Sequence, residues 1–307
     1  MNTLARGVAI PRRRRWRSDR WVQWLYVGPA LLFLVAVLGF PMLQAVLMSF
    51  QHFTLKELVS GNAPFVGLDN YAHAFADPTF VVALRNSLVF TVASVALQFT
   101  IGLGLAILFS QRFPLGNTFR GLMLTGWQIP LIVTGTLFLW MFNLDYGLVN
   151  YILLTLHLIA EPIGWTVDAG AALPAVIIAN VWLGIPFNLI MLSAAIAGLP
   201  GDVYEAATVD GASGRQKIRY ITIPLLRPAI LAVLMLGFIY TMRVFDLIWI
   251  MTKGGPGNAT EVLPTFAYRL AFVHFDFGRS SAVAVFMMLI LFIAAMLYLR
   301  SAFSDEP

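Results

Sequence analysis

The sequence predicts an all-α membrane protein of six transmembrane helices with both termini on the cytoplasmic side. Three observations carry this. Hydrophobic residues make up 59% of the 307 residues and charged ones only 11%, too apolar a balance for a water-soluble domain. Charge-free runs, as between Arg85 and Arg112 and between Arg120 and Asp145, exceed the roughly 20 residues a helix needs to cross hydrocarbon. The basic residues also cluster on one assumed side. The inner segments hold fourteen of the twenty Lys and Arg, the outer ones only Lys56, Arg85, Lys253, Arg269 and Arg279, as the positive-inside tendency requires.

In chain order, Arg6, Arg12, Arg13, Arg14, Arg15, Arg17 and Arg20 form a basic cytoplasmic tail over residues 1–22. The apolar run after it is longer than a signal-peptide core and becomes a retained first span, about 23–48. Residues 51–80 are a polar outer loop. Spans two and three follow at about 84–110 and 120–143, joined by the basic connector at 111–120. The piece from Tyr146 to Ala160 is too short to cross and is flanked by acidic residues, so it is read as an outer helix. A crossing there would turn Arg215, Lys217, Arg219 and Arg227 outward. Spans four, five and six occupy about 172–197, 228–252 and 280–300.

Between spans four and five lies a polar island, EAATVDGASGRQKIRYITIP at 205–224. Its acidic front and basic back suit a helix dipole. Asp202 and Glu205 have N-cap and N3 spacing for a capping box. Asp210, Gly211 and Gly214 break that helix. A second runs from Arg215 to Tyr220, and Pro224 is expected to force Ile223 out of the α region. On local physics alone this could also be an ordinary capped surface loop.

Glu205, Ala206 and Ala207, then Gly211 at the seventh position and Ile221, Ile223 and Pro224 at the seventeenth to twentieth, resemble the cytoplasmic signature of ABC importer permeases. VGLDNY at 66–71, the T-x-GGP-x-x-x-T pattern from Thr252 to Thr260 and YRLAF at 268–272 are similar to the carbohydrate-uptake subgroup. The resemblance covers nearly the whole chain beyond residue 20. It implies the type I importer fold over residues 23–303, with a cytoplasmic coupling loop at 198–227. In that loop Glu205, Ala206, Ala207, Asp210, Gly211, Ile221, Ile223 and Pro224 would dock on an ATPase. It further implies a second permease chain, of a different sequence, two ATP-binding-cassette subunits that hold ATP and Mg, and an extracytoplasmic solute-binding protein. The expected location is the bacterial inner membrane.

Polar groups inside a span are costly and therefore point to a pathway. Span four carries Asn180, Leu183, Gly184 and Phe187 around Pro186, where a broken helix beside a solute path or a simple proline kink are both open. Span five presents Gly237, Tyr240, Thr241 and Val244 at helical spacing, a mixed stripe that suits a sugar as well as packing. Arg243 and Asp246, three apart, are placed to pair on one helix face.

Zero cysteines and four scattered histidines offer no metal site, and no phosphate loop or catalytic motif occurs. The chain is therefore expected to bind no cofactor and to catalyse nothing itself. Nor is a nucleic-acid partner expected, since the basic excess is a topology signal. The function that the resemblance implies is ATP-driven import of a sugar or a related polyol or phosphosugar. The rival is an ion-coupled carrier relaying protons through Arg243 and Asp246.

Overall fold

The computed structural model describes residues 20–111, 114 and 116–303; most of the basic tail lies outside the described residues. The chain divides into two compact units, the first ending at Leu47 and the second beginning at Met48. The first is an apolar helical run: α1 (Arg20–Leu34), a π-helical turn at Val35–Gly39, and α2 (Phe40–Ser49).

The second unit is helical, with two isolated β-bridges among the described residues. Short helices α3 (Leu55–Ser60) and α4 (Asp69–Ala76) fill the first loop. Here the Glu57 carboxyl, taking hydrogen bonds from Thr54, is held below its ordinary range. Then come α5 (Pro78–Ser110), α6 (Gly116–Trp127), α7 (Leu131–Met141), α8 (Leu148–Thr155) and α9 (Ala169–Ala197). A hairpin follows: α10 (Gly201–Val209), α11 (Gly214–Lys217), a π-helical turn at Ile218–Thr222, and α12 (Ile223–Leu225). The chain ends with α13 (Arg227–Met242), α14 (Asp246–Met251), α15 (Leu263–Phe272) and α16 (Phe277–Phe303).

Four helical stretches are long and apolar enough to cross a membrane by themselves: Trp24–Ser49, Pro78–Ser110, Ala169–Ala197 and Phe277–Ser301. Counting two bent pairs raises the number to six. One pair is the third expected span. It bends by 100° between Trp127 and Leu131, because Pro130 has no N–H to continue α6 and the residue before it is steered from the α region. The fifth expected span is interrupted as well: α13 ends at Met242, and α14 restarts at Asp246.

The helix α5 organises the unit. Its Phe90 belongs to an apolar core with Phe138 of α7, Val176 and Val181 of α9, and Leu247 and Ile248 of α14. Phe80 and Ala83 join Leu263, Phe266 and Leu270 of α15 and Val283 of α16 in a second. Ala106 meets Leu189, Leu192 and Val233 in a third. Polar ties fix one end: the Asn86 amide donates to the carbonyls of Asn258, Ala259 and Glu261, and Ser87 accepts from the Leu263 N–H at 2.8 Å.

Candidate functional site: a polar cavity and a helical hairpin

A cavity of about 660 Å³ opens between α5, α9 and the two helix breaks. It gathers Asn180, Leu183, Gly184 and Phe187 from α9, and Gly237, Tyr240, Thr241, Arg243, Val244 and Asp246 from α13 and the break beyond it. In the sequence these ten lie on two separate stretches, and the fold brings them to one cavity. Gln98, Trp127, Gln128 and Phe245 also line the cavity and were missed. Gln98 lies in a span otherwise read by its lack of charge, and the others sit at interruptions that the charge-free runs concealed.

One of the two readings left open at Pro186 is closed here, and one local expectation is corrected. The helix α9 runs unbroken through Pro186, so the discontinuities beside the cavity come from the neighbouring spans instead. Arg243 and Asp246 do not share a helix face. Arg243 caps the C-terminus of α13 with φ −97° and ψ 3°, whereas Asp246 opens α14. No ion pair joins them among the described residues, and both side chains are exposed to the cavity.

The lining is amphipathic. Phe187 meets Tyr240 edge-on at 6.0 Å between ring centres and lies 6.2 Å from Trp127, a set of aromatic walls. Polar groups interrupt them. Gln98 Nε2 donates to the Asn180 carbonyl at 2.8 Å. Asn180 is 3% exposed, yet its Nδ2 finds no partner among the described residues. A buried amide donor left unpaired costs about 1–3 kcal/mol.

The hairpin presents a different surface. At the end of α10, Gly211 takes φ +76°, and the Ala212 N–H bonds to the Ala207 carbonyl at 2.9 Å, closing the helix with a left-handed cap. Ser213 and Gln216 then form a reciprocal capping box for α11, a signature the sequence carried unread. The box expected from Asp202 and Glu205 is absent: Pro200 is the N-cap, and Asp202 lies inside the first turn. Tyr204 and Thr222 hydroxyls meet at 2.8 Å and lock the two arms.

Nor does Pro224 end the second arm. Ile223 stays helical at φ −62° and ψ −46°, and its N–H reaches the Ile218 carbonyl. The preceding turn has widened to a π-turn, which relieves the clash of the proline ring with the carbonyl four residues back. The same device precedes Pro41, where the Phe40 N–H bonds to Val35. Glu205, Ala206, Asp210, Gly211, Ile223 and Pro224 are exposed, Ala207 and Ile221 half-buried. Asp210, Gly211, Ala212, Gln216, Tyr220 and Ile221 surround a depression of about 280 Å³. Val209 at 88% and Tyr220 at 68% exposure give the hairpin apolar tips that a partner would cover.

Residues 98–303 match the family described as "Binding-protein-dependent transport system inner membrane component". The chain belongs to that family. This permease is 34% identical over 294 residues to the sulfoquinovosyl glycerol transport system permease protein SmoG of Agrobacterium fabrum, covering 95% of this chain and 94% of that one. It is 34% identical over 237 residues to the trehalose/maltose transport system permease protein MalF of Thermococcus litoralis, covering 77% and 79%. Among solved structures, a bacterial ABC transporter involved in the import of the acidic polysaccharide alginate aligns with a TM-score of 0.81 at 21% identity, over 94% of this chain and 98% of that one. The likeness shows the type I importer permease fold. The permease is thus a transport component of the inner membrane, which favours the ABC reading over the ion-coupled rival.

Proposed function

We propose that this permease carries a sugar, or a related polyol or phosphosugar, delivered by a soluble solute receptor. The observation that carries the reading is the cavity, where exposed Arg243 and Asp246, with Asn180, stand among the Trp127, Phe187 and Tyr240 rings. Hydroxyls need directional polar partners, and the C–H faces of a pyranose stack on aromatics. Support also comes from relatives named for trehalose and maltose and for diacetylchitobiose.

In this reading a second permease chain of different sequence closes the cavity, and two ATP-binding-cassette subunits hydrolyse ATP while this chain binds none. Both termini and the 201–225 hairpin lie on the cytoplasmic side. Glu205 and the apolar tips would enter a cleft on the ATPase, and closure of the ATPases would move the hairpin as a lever. The test is uptake of labelled sugar into proteoliposomes holding the copurified complex. ATP-dependent uptake is expected; uptake that ignores ATP and follows an imposed proton gradient would restore the rival.

A further inference from the structure

Four aromatic rings lead out of the cavity, away from the hairpin. Phe245 lines the cavity. Trp249 stacks on it at 5.5 Å between ring centres, with planes 20° apart. Tyr268 lies 4.9 Å from Phe245 and 4.7 Å from Trp249, and Phe272 follows 4.8 Å from Tyr268. Positions 245 and 249, like 268 and 272, are four apart, so each pair lies on one side of its segment.

These rings are not core. None belongs to the three buried clusters or packs against them, and Phe272 exposes 61% of its surface. The Trp249 indole N–H and the Tyr268 hydroxyl have no hydrogen-bond partner among the described residues. The rings adjoin in one line, continuous with the cavity at one end and exposed at the other.

We propose that this ladder is a stacking track along which the sugar passes between the far end of the permease and the cavity. It rests on the reading of the cargo as a sugar. Each ring offers a flat apolar face to the C–H side of the sugar, and Trp249 and Tyr268 add donors for its hydroxyls. Neighbouring sites of similar, modest affinity let a solute step onward without being trapped.

The experiment uses the copurified complex in proteoliposomes, with labelled maltose, trehalose and diacetylchitobiose as probes. Trp249→Leu and Tyr268→Leu keep apolar bulk and lose the aromatic face. Each is expected to raise the KM for uptake about fivefold, with complex yield and basal ATP hydrolysis unchanged, while Trp249→Phe and Tyr268→Phe, which keep the ring and lose only the donor, fall between the leucine variants and wild type. Phe272→Leu, at the exposed rung, serves if the inner variants fail to assemble. Leucine variants with an unaltered KM overturn the track, as does a loss of yield without a change in KM, which would mark a membrane anchor or subunit contact. If the wild type takes up none of these three, nor any of a panel of labelled monosaccharides, polyols and phosphosugars, the sugar reading fails and takes the track with it.

Discussion

The Gln98 carboxamide fills the place that a side chain at Gly184 would occupy, and from there its Nε2 reaches the Asn180 carbonyl. The two spans approach so closely because Gly184 has no Cβ. Gly184→Ala should therefore displace Gln98 and cost about 1–3 kcal/mol, the range for overpacking. Gln98→Ala in the same chain should recover part of that loss. Thermal unfolding of the purified complex for the two single variants and the double variant would measure the coupling.

Asn180 offers the opposite case. Because its Nδ2 is unpaired, Asn180→Ala gives up no hydrogen bond from that atom, and stability should change by no more than about 1 kcal/mol. Uptake should fall while the complex still assembles. Unchanged uptake would remove Asn180 from the solute path.

At Gly211 a Cβ would meet open space, but φ is +76°. Strain alone, roughly 1–2 kcal/mol, separates Gly211→Ala from wild type, and that variant should retain the ATPase on copurification. Gly211→Trp adds bulk to the depression beside Tyr220 and should lose it. Equal retention by both variants would show that the turn does not dock.

The turn between α14 and α15 buries Glu261, whose carboxylate pairs with Arg269 at 2.5 Å. Burial pushes the Glu261 carboxyl up, and Arg269 opposes this. A raised carboxyl is destabilising in its charged form, so its cost grows as pH rises past the unfolded value and vanishes once it is protonated. Arg269→Met should cost about 2–3 kcal/mol at pH near 7.5, less than for a fully buried pair because Arg269 is partly exposed. The deficit should shrink at acid pH. Melting temperatures of variant and wild type at both pH values provide the check.

Asn86→Leu should leave three turn carbonyls without their donor and lower stability by about 2 kcal/mol. Asn86→Asp, which places an acceptor against acceptors, should cost more. Equal melting temperatures for the two would show that the amide contributes only its shape.

Much of this was legible because the physics is local. Long charge-free runs announce α5, α9 and α16, and costly polar residues inside apolar stretches mark Asn180 in α9 and Arg243 after α13. What stayed hidden depended on partners. The bend at 128–130 was foreshadowed by Ile129-Pro130, but that dipeptide sat within an uncharged stretch and read as part of a crossing. Gln98 gains meaning only opposite Gly184, and Trp127 only beside Phe187. The Pro224 rule failed because a helix can widen one turn ahead of a proline instead of stopping.

The three bonds of Asn86 have one further consequence. They rivet the 258–261 turn to the head of α5, so that these two travel as a single body. Any displacement carried along α13 would meet this fixed body at the place where the helix is already cut, Arg243–Phe245. That cut is also the cavity wall, so any hinging there would reshape the cavity.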